Sequence, residues 1–402
     1  MKNILLLTNI YVQTDFYTLN NTAVCHYFAK EWVRLGYNVH VVYNYPIYWK
    51  PFHWLSKVLG EKIASLGGSQ ITTKYLSDIE SYTIDGVLVH RIPIFKFAPK
   101  MKYSDKVLEK QVEHIIKIAD KFHFVPDIIL GHFQYPSIAL LYELKKRFSC
   151  KISLVLHGDS KRLKYLCGDR FQEYFSSVDI WGFRSLPIKR NFEKYYGIQK
   201  FSFLCPSGVS DIFFKKNIRK WKGGNLKSFI YVGSFIKRKF PSVIVEALGE
   251  VYKKDEFVMT FVGHGDECKT IKKKIRKFHF EKNVVFTGQL SREFIIDYLG
   301  YSECFIMVSK GETFGLVYLE AMAAGCIVIA SKQEGMEGII TDGVNGFLCE
   351  AGNSHELAKK MQYINSLTAN EKMKISENAI KTASLLTDKT VAIKYLNSVI
   401  SV

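Results

Sequence analysis

Short apolar runs alternate along the chain with segments of helical length and composition. Runs such as 3–10 and 304–308 are apolar at nearly every position, which is typical of strands buried on both faces of a parallel sheet. The predicted strands cover 3–10, 38–43, 85–95, 127–131, 151–156, 178–183, 201–204, 228–232, 257–262, 284–287, 304–308 and 326–330. The predicted helices cover 21–35, 106–122, 137–148, 187–196, 267–283, 315–324, 354–367 and 388–402. This alternation predicts an α/β fold with Rossmann-like domains.

The length of 402 residues favours two domains over one. A polar, basic segment that contains Gly223 and Gly224 has the composition of a linker. We therefore predict an amino-terminal domain over residues 1–210 and a carboxyl-terminal domain over residues 211–385.

The loop after the first predicted strand reads YVQTDFYTLNNT and lacks the pattern GxGxxG. A dinucleotide therefore has no glycine turn on which its pyrophosphate could lie. This absence argues against a nicotinamide-dependent dehydrogenase.

The segment 301–331 predicts a strand, a helix and a second strand. Its loop 310–314 falls between the end of the first strand and the amino terminus of the helix, where unpaired N–H groups favour an anion such as phosphate. Glu312 lies in that loop and Glu320 in the helix, and carboxylates suit sugar hydroxyls as hydrogen-bond acceptors. A phosphate flanked by such groups indicates a sugar nucleotide.

Glu312 and Glu320, with Phe314-Gly315 between them and the run EAMAAG from Glu320, resemble the donor-site signature of family-4 retaining glycosyltransferases. The resemblance is to members of the bacterial surface-polysaccharide type. It implies the GT-B fold, in which two Rossmann-like domains face each other across a cleft. The second domain then holds a UDP- or GDP-sugar, the first holds the acceptor, and the last helix, 386–402, packs back on the first domain.

The same resemblance implies further site residues. His157, in a His-Gly pair, maps beside the donor sugar, whereas we give His132 on the neighbouring strand less weight. Ser234 stands where the family often has an arginine, so that Lys239, with Arg238 nearby, would neutralise the donor diphosphate. The implied catalytic residues are His157, Lys239 and Glu312. The implied donor-binding residues are Gly233, Ser234, Arg238, Lys239, Gly263, Gly265, Gly288, Thr313, Phe314, Gly315, Leu316 and Glu320.

The composition of the chain allows predictions about its binding partner and its cellular compartment. The net charge of +18 indicates a polyanionic partner, and the aromatics beside a lysine in WKPFHW, from Trp49, favour an anionic membrane surface. The eight cysteines are scattered without a CxxC pair, and no apolar run reaches the length of a transmembrane helix. These features predict a cytoplasmic enzyme that is peripheral on the inner face of the plasma membrane. The sequence has no Asp-x-Asp motif, so neither a metal nor another cofactor is expected.

The predicted reaction is hexosyl transfer, with retention, to a hydroxyl of a glycan, for example a lipid-linked polysaccharide intermediate. A GT-B sugar-nucleotide epimerase is an alternative that shares the fold and the phosphate site. A basic nucleic-acid-binding protein is another, although no such module appears in the sequence. A catalytically inactive scaffold is disfavoured because both glutamates are present.

Overall fold

The computed structural model describes residues 2–12, 22–51, 53, 75–97, 101–214 and 220–401. The chain forms two compact units. Unit 1 comprises residues 1–184, 188–205 and 391–402, and unit 2 comprises residues 185–187 and 206–390. The division after Cys205 lies slightly before the boundary predicted between residues 210 and 211. Asn20, Asn21, Phe52 and Trp54 lie outside the described residues.

Unit 1 is built on an eight-stranded sheet in the order β3-β4-β2-β1-β5-β6-β7-β8, parallel except for the edge strand β3. The strands are β1 Asn3–Thr8, β2 Asn38–Ile47, β3 Glu80–Ile84, β4 Val87–Phe95, β5 Ile128–His132, β6 Lys151–Leu156, β7 Ile180–Phe183 and β8 Ser202–Leu204. Its helices are Val24–Arg34, Asp105–Lys121, Ser137–Phe148, Leu163–Cys167, Phe171–Ser177, most of Leu186–Tyr196 and most of Asp388–Ile400. The order reverses at β1, so the carboxyl ends of β1 and β5 form a crevice of the kind in which open α/β sheets bind ligands.

Most of the last helix, Asp388–Ile400, belongs to unit 1, and these residues pack against the rest of that unit. The Trp32 indole Nε1 donates a hydrogen bond of 3.0 Å to the carbonyl oxygen of Ala392. The Tyr395 ring lies 5.3 Å, centroid to centroid, from the rings of both Phe28 and Trp32. These rings are buried, and their packing anchors the helix against Val24–Arg34.

Unit 2 has a six-stranded, fully parallel sheet in the order β11-β10-β9-β12-β13-β14. The strands are β9 Ser228–Val232, β10 Val258–Val262, β11 Val284–Gly288, β12 Cys304–Ile306, β13 Ile327–Ser331 and β14 Phe347–Cys349. The helices are Pro241–Val251, Cys268–Phe278, Arg292–Tyr301, Leu316–Ala323, Ser354–Ser366 and Ala369–Ser384. This is the strand order of the Rossmann fold, so the predicted fold class is confirmed for this unit.

The predicted elements differ from the observed ones mainly at their ends. The helix predicted over 267–283 ends at Phe278, because His279 adopts a left-handed conformation with φ +57°. The strand predicted over 304–308 ends at Ile306, although Met307 and Val308 remain fully buried. Among the described helices, none combines the length and the apolar character needed to cross a lipid bilayer.

Candidate functional site

The order of unit 2's strands reverses at β9, which lies between β10 and β12. The loop after β9 contains a short 3-10 turn, Lys237–Lys239, and the loop after β12 leads to Gly315. The two loops are joined by a hydrogen bond of 2.7 Å from the Lys310 N–H to the Arg238 carbonyl oxygen. The strand order thus brings together two segments that are far apart in sequence, at the edge where such sheets bind ligands.

Three charged side chains meet where these loops touch. The Lys239 Nζ and the Arg238 Nη1 each lie 3.6 Å from the Glu312 Oε2. The Lys239 and Glu312 side chains are only 15% and 12% exposed, whereas Arg238 is 48% exposed. Lys239 and Arg238 are thus two cations held close together at a carboxylate, and their N–H donors suit an anionic ligand such as a phosphate.

Glu312 is held from several sides. The Glu312 N–H donates a hydrogen bond of 2.9 Å to the Glu334 Oε2. The Glu312 Oε2 accepts a hydrogen bond of 3.4 Å from the Ser309 hydroxyl. The Tyr318 hydroxyl donates a hydrogen bond of 2.6 Å to the Met307 carbonyl oxygen and so fixes the start of the loop. The sequence analysis missed these supporting residues. Glu334 could have been found, because it follows β13, whose carboxyl end lies at the same edge of the sheet.

At two of the predicted donor-site positions, steric clashes explain why the residue is glycine. Gly315 has φ +87°, and a Cβ there would lie 2.4 Å from the Tyr318 ring. Gly263 has φ +137°, and a Cβ there would lie 2.0 Å from the Gly233 carbonyl oxygen. A larger residue at Gly263 would therefore displace the loop of Gly233, and a larger residue at Gly315 would displace the Tyr318 ring.

The other predicted glycines lie on the same edge. The Gly263 N–H donates to the Gly288 carbonyl oxygen at 2.8 Å, and the Gly233 N–H donates to the Val262 carbonyl oxygen at 2.9 Å. A Cβ on Gly265 would lie 2.5 Å from the Phe235 carbonyl oxygen. The structure thus places Gly233, Gly263, Gly265 and Gly288 in neighbouring loops at the carboxyl ends of β9, β10 and β11.

Glu320 lies apart from this charged group. Its carboxylate is buried and accepts a hydrogen bond of 2.6 Å from the Arg292 Nε. Burial raises the pKa of Glu320, and the Arg292 guanidinium opposes that shift. Arg292, which the sequence analysis did not single out, therefore holds the carboxylate in place. A contact between Glu320 and a donor sugar stays a prediction.

The remaining predicted residues differ in accessibility. Phe314 is buried, so its ring serves packing, while Thr313 and Leu316 are partly exposed. Ser234 is exposed, and its carbonyl oxygen accepts a hydrogen bond of 2.9 Å from the Tyr231 hydroxyl. The Ser234 side chain is therefore accessible to solvent.

In unit 1, the two histidines at the ends of β5 and β6 are in direct contact. The His132 Nδ1 lies 2.8 Å from the His157 Nε2, and the His132 Nε2 lies 3.2 Å from the Tyr395 hydroxyl. The His157 ring also stacks on Phe133 at a centroid distance of 4.0 Å. Burial lowers the pKa of both histidines well below the usual value, and Arg184 lowers it further. Both rings are therefore neutral at pH 7, and His132 orients the ring of His157.

Comparisons with known proteins agree with this architecture. Residues 213–382 match the family Glycosyl transferases group 1. The chain is 30% identical over 152 residues to N-acetyl-alpha-D-glucosaminyl L-malate synthase of Bacillus anthracis, which covers 37% of this chain and 39% of that protein. It is 26% identical to the poly(glycerol-phosphate) alpha-glucosyltransferase of Bacillus subtilis over 77% of this chain and 44% of that protein. The matches thus span less than half the length of either relative.

The fold extends over the whole chain. The structure of Anabaena HepE in complex with UDP superposes with a TM-score of 0.71 and 17% identity, covering 100% of both chains. At this identity the likeness shows the fold, which is GT-B, as the sequence analysis predicted.

Proposed function

We propose that the protein transfers a glycosyl group from a nucleotide sugar to a hydroxyl of a glycan, because residues 213–382 of unit 2 match the family Glycosyl transferases group 1. The observation that carries the proposal is the group formed by Lys239, Arg238 and Glu312 at the reversal of the strand order. Its two cations suit the diphosphate of a UDP- or GDP-sugar, and its carboxylate suits a sugar hydroxyl.

The proposed reaction proceeds with retention and requires no metal ion. Lys239 and the amino terminus of the helix Leu316–Ala323 supply positive charge to the leaving diphosphate. Glu312 accepts a hydrogen bond from the donor sugar. For His157 we propose the role that the family resemblance implies, with its neutral ring oriented by His132 at the carboxyl edge of unit 1's sheet.

The names of two relatives bear on the identity of the acceptor. One relative is a glucosyltransferase of poly(glycerol-phosphate), and another is a putative teichuronic acid biosynthesis glycosyltransferase of Bacillus subtilis. We propose that this chain builds a bacterial surface glycan on a lipid-linked intermediate, and that it does so in the cytoplasm.

The donor can be identified by thermal shift with a panel of UDP-, GDP- and ADP-sugars. A ligand at one hundred times its dissociation constant adds about 2.7 kcal/mol to the free energy of unfolding, which raises the melting temperature by several degrees. We expect one nucleotide class to give this shift, and the matching free sugar to give none.

Product analysis then separates the enzyme classes. Incubation with the donor alone should leave its sugar unepimerised, whereas an epimerised sugar would favour the GT-B epimerase. If no nucleotide sugar raised the melting temperature and none was consumed with any glycan acceptor, the proposed activity would be wrong.

We also propose that the protein attaches peripherally to anionic membranes. Its net charge is +18, and the helix Cys268–Phe278 exposes five cations. These are Lys269, Lys272, Lys273, Arg276 and Lys277. Each suitably placed Lys or Arg contributes about 1 kcal/mol of attraction to an anionic surface.

Sedimentation with vesicles tests this attachment. The protein should pellet with vesicles that contain phosphatidylglycerol at low salt, and it should be released at high salt, where the attraction is screened. Vesicles of phosphatidylcholine should bind little protein in either condition. Equal partition in all four conditions would contradict an electrostatic attachment and would favour a soluble acceptor or nucleic acid as the polyanionic partner.

A further inference from the structure

Three successive residues, beginning with the last one of β5, contact the segment that carries His157. The His132 Nδ1 lies 2.8 Å from the His157 Nε2. The Phe133 ring stacks on the His157 ring at a centroid distance of 4.0 Å, with 26° between the two planes. The Gln134 Nε2 donates a hydrogen bond of 3.1 Å to the Gly158 carbonyl oxygen. These three residues, which we call the histidine clamp, hold a ring nitrogen, a ring face and the backbone that follows.

An ordinary strand would not bring the first two of these contacts to one ring. Side chains alternate between the two faces of an extended strand, so His132 and Phe133 would point in opposite directions. Phe133 instead has φ +66°, in the left-handed region. Its N–H still donates a hydrogen bond of 3.1 Å to the Val155 carbonyl oxygen, so the residue remains tied to β6. The left-handed conformation therefore turns the Phe133 ring back towards the histidine that His132 binds.

Phenylalanine is an unfavourable residue for this backbone conformation. The left-handed region brings Cβ close to the following carbonyl oxygen, a contact that glycine avoids and that asparagine and aspartate tolerate best among the other residues. Phe133 is partly exposed, so burial in the core gives only a weak reason for an aromatic side chain here. Strain of this kind persists where it places a side chain that a site needs. The strained backbone thus points to the stacking contact with His157.

Stacking adds a constraint that the hydrogen bond with His132 lacks. A hydrogen bond fixes one nitrogen of the His157 ring but lets the plane of the ring tilt about that atom. A face-to-face neighbour fixes the plane itself, and an aromatic pair contributes more than the area that it buries. The His132 ring is held in turn, since its Nε2 lies 3.2 Å from the Tyr395 hydroxyl. His157 is nevertheless partly exposed, so a ring of fixed orientation is accessible at the carboxyl edge of unit 1's sheet.

We propose that Phe133 is a positioning residue for His157. Its left-handed backbone lays the phenyl ring on the imidazole and so fixes the plane in which the imidazole meets a substrate. This inference rests on the role proposed above for His157 in glycosyl transfer, and it adds a residue that acts only through His157. The ring of Phe133 should therefore govern turnover, whereas binding of the nucleotide in unit 2 should not depend on it.

The stacking can be measured by nuclear magnetic resonance without any substrate. In the full chain with isotope-labelled histidine, the ring current of Phe133 shifts the carbon-bound protons of His157 upfield, and His157→Gln identifies their resonances by the missing signals. We expect Phe133→Leu to move these resonances downfield and Phe133→Tyr to keep them in place. Phe122→Leu is the matched control, because the Phe122 ring also lies against a histidine, His90, at 5.0 Å, but ahead of β5. Unmoved resonances in Phe133→Leu would overturn the inference.

Steady-state kinetics then measure the effect on turnover. Phe133→Leu keeps an apolar side chain and Phe133→Gly relieves the backbone strain, but both lose the ring. We expect each to lower kcat about two- to tenfold, which corresponds to the contribution of one aromatic pair. The affinity for UDP should stay unchanged in both variants, and Phe133→Tyr should recover the kcat. Phe122→Leu should match the unmodified chain.

Melting temperatures separate positioning from a merely structural role. Phe133→Gly and Phe133→Leu should differ in melting temperature, because only glycine adopts the left-handed conformation without strain, yet they should lose kcat alike. A kcat that followed the melting temperature across the variants, rather than the presence of the ring, would contradict positioning, and so would an unchanged kcat in both. If the unmodified chain transferred no sugar, the proposed function would be wrong, while the His157 resonances would still decide whether Phe133 fixes the ring.

Discussion

Glu312→Gln should lower kcat about tenfold or more while leaving the fold intact. The substitution keeps the shape of the side chain but removes the charge that lies 3.6 Å from both Lys239 and Arg238. A charge-assisted hydrogen bond to the donor sugar contributes about 1.5–3 kcal/mol, which corresponds to a rate effect between about tenfold and a hundredfold. The Glu312 N–H still donates to Glu334, so the loop keeps its backbone anchor.

The split between kcat and the donor KM makes this prediction specific. A carboxylate beside a diphosphate is repulsive, so removing its charge should not raise the donor KM, even though turnover falls. Steady-state kinetics with a saturating acceptor would measure both quantities, and thermal melting would check the fold. Glu281→Gln, the same change at an exposed position of unit 2, is the control. Activity close to that of the unmodified protein in a folded Glu312→Gln variant would reject the assigned role.

Much of the fold followed from the sequence because buried parallel strands leave a simple signal. The run Ser228–Val232 was predicted at its exact bounds, and the helix Ser137–Phe148 likewise. A strand that is apolar at every position is buried on both faces when helices cover both sides of the sheet. The ends were less predictable, because a single left-handed residue such as His279 can terminate a helix without any glycine or proline.

The charged group of the candidate site could be predicted only in part. Glu312 and Lys239 stood out because they follow apolar strands and resemble a known signature. Their contact depends on β9 and β12 being neighbours, although β10 and β11 lie between them in sequence. The Arg292–Glu320 pair was missed, and the hydrogen bond between His132 and His157 was not predicted, although both histidines were placed at the ends of strands on one rim. A hydrogen bond between distant side chains has no periodicity along the chain.

Lys239→Met should lower kcat as well as donor affinity. The Lys239 side chain is only 15% exposed, and besides the Glu312 carboxylate its Nζ contacts the Met307 Sδ at 3.9 Å. Charge builds on the leaving diphosphate as the glycosidic bond breaks, and a fixed, poorly screened cation stabilises that state more than the bound donor. Lys237→Met is the matched control, because Lys237 belongs to the same turn and is exposed. Kinetics of both variants, with the donor KM and kcat determined separately, would measure the effect.

Introducing Ser234→Arg together with Lys239→Met tests why the stabilisation of the leaving diphosphate depends so strongly on Lys239. Ser234 stands where the resembled family often has an arginine, and its exposed side chain leaves room for a longer one. An arginine there should restore part of the kcat that Lys239→Met loses, because it adds a second cation near the diphosphate.

Arg238 is the competing candidate, since its guanidinium also lies 3.6 Å from Glu312, but it is 48% exposed and therefore better screened by water. Arg238→Met should consequently be milder than Lys239→Met. If Lys239→Met changed only the donor KM, or had no effect while Arg238→Met was damaging, the cation that stabilises the leaving group would be Arg238, and the match of this loop to the family would shift by one residue.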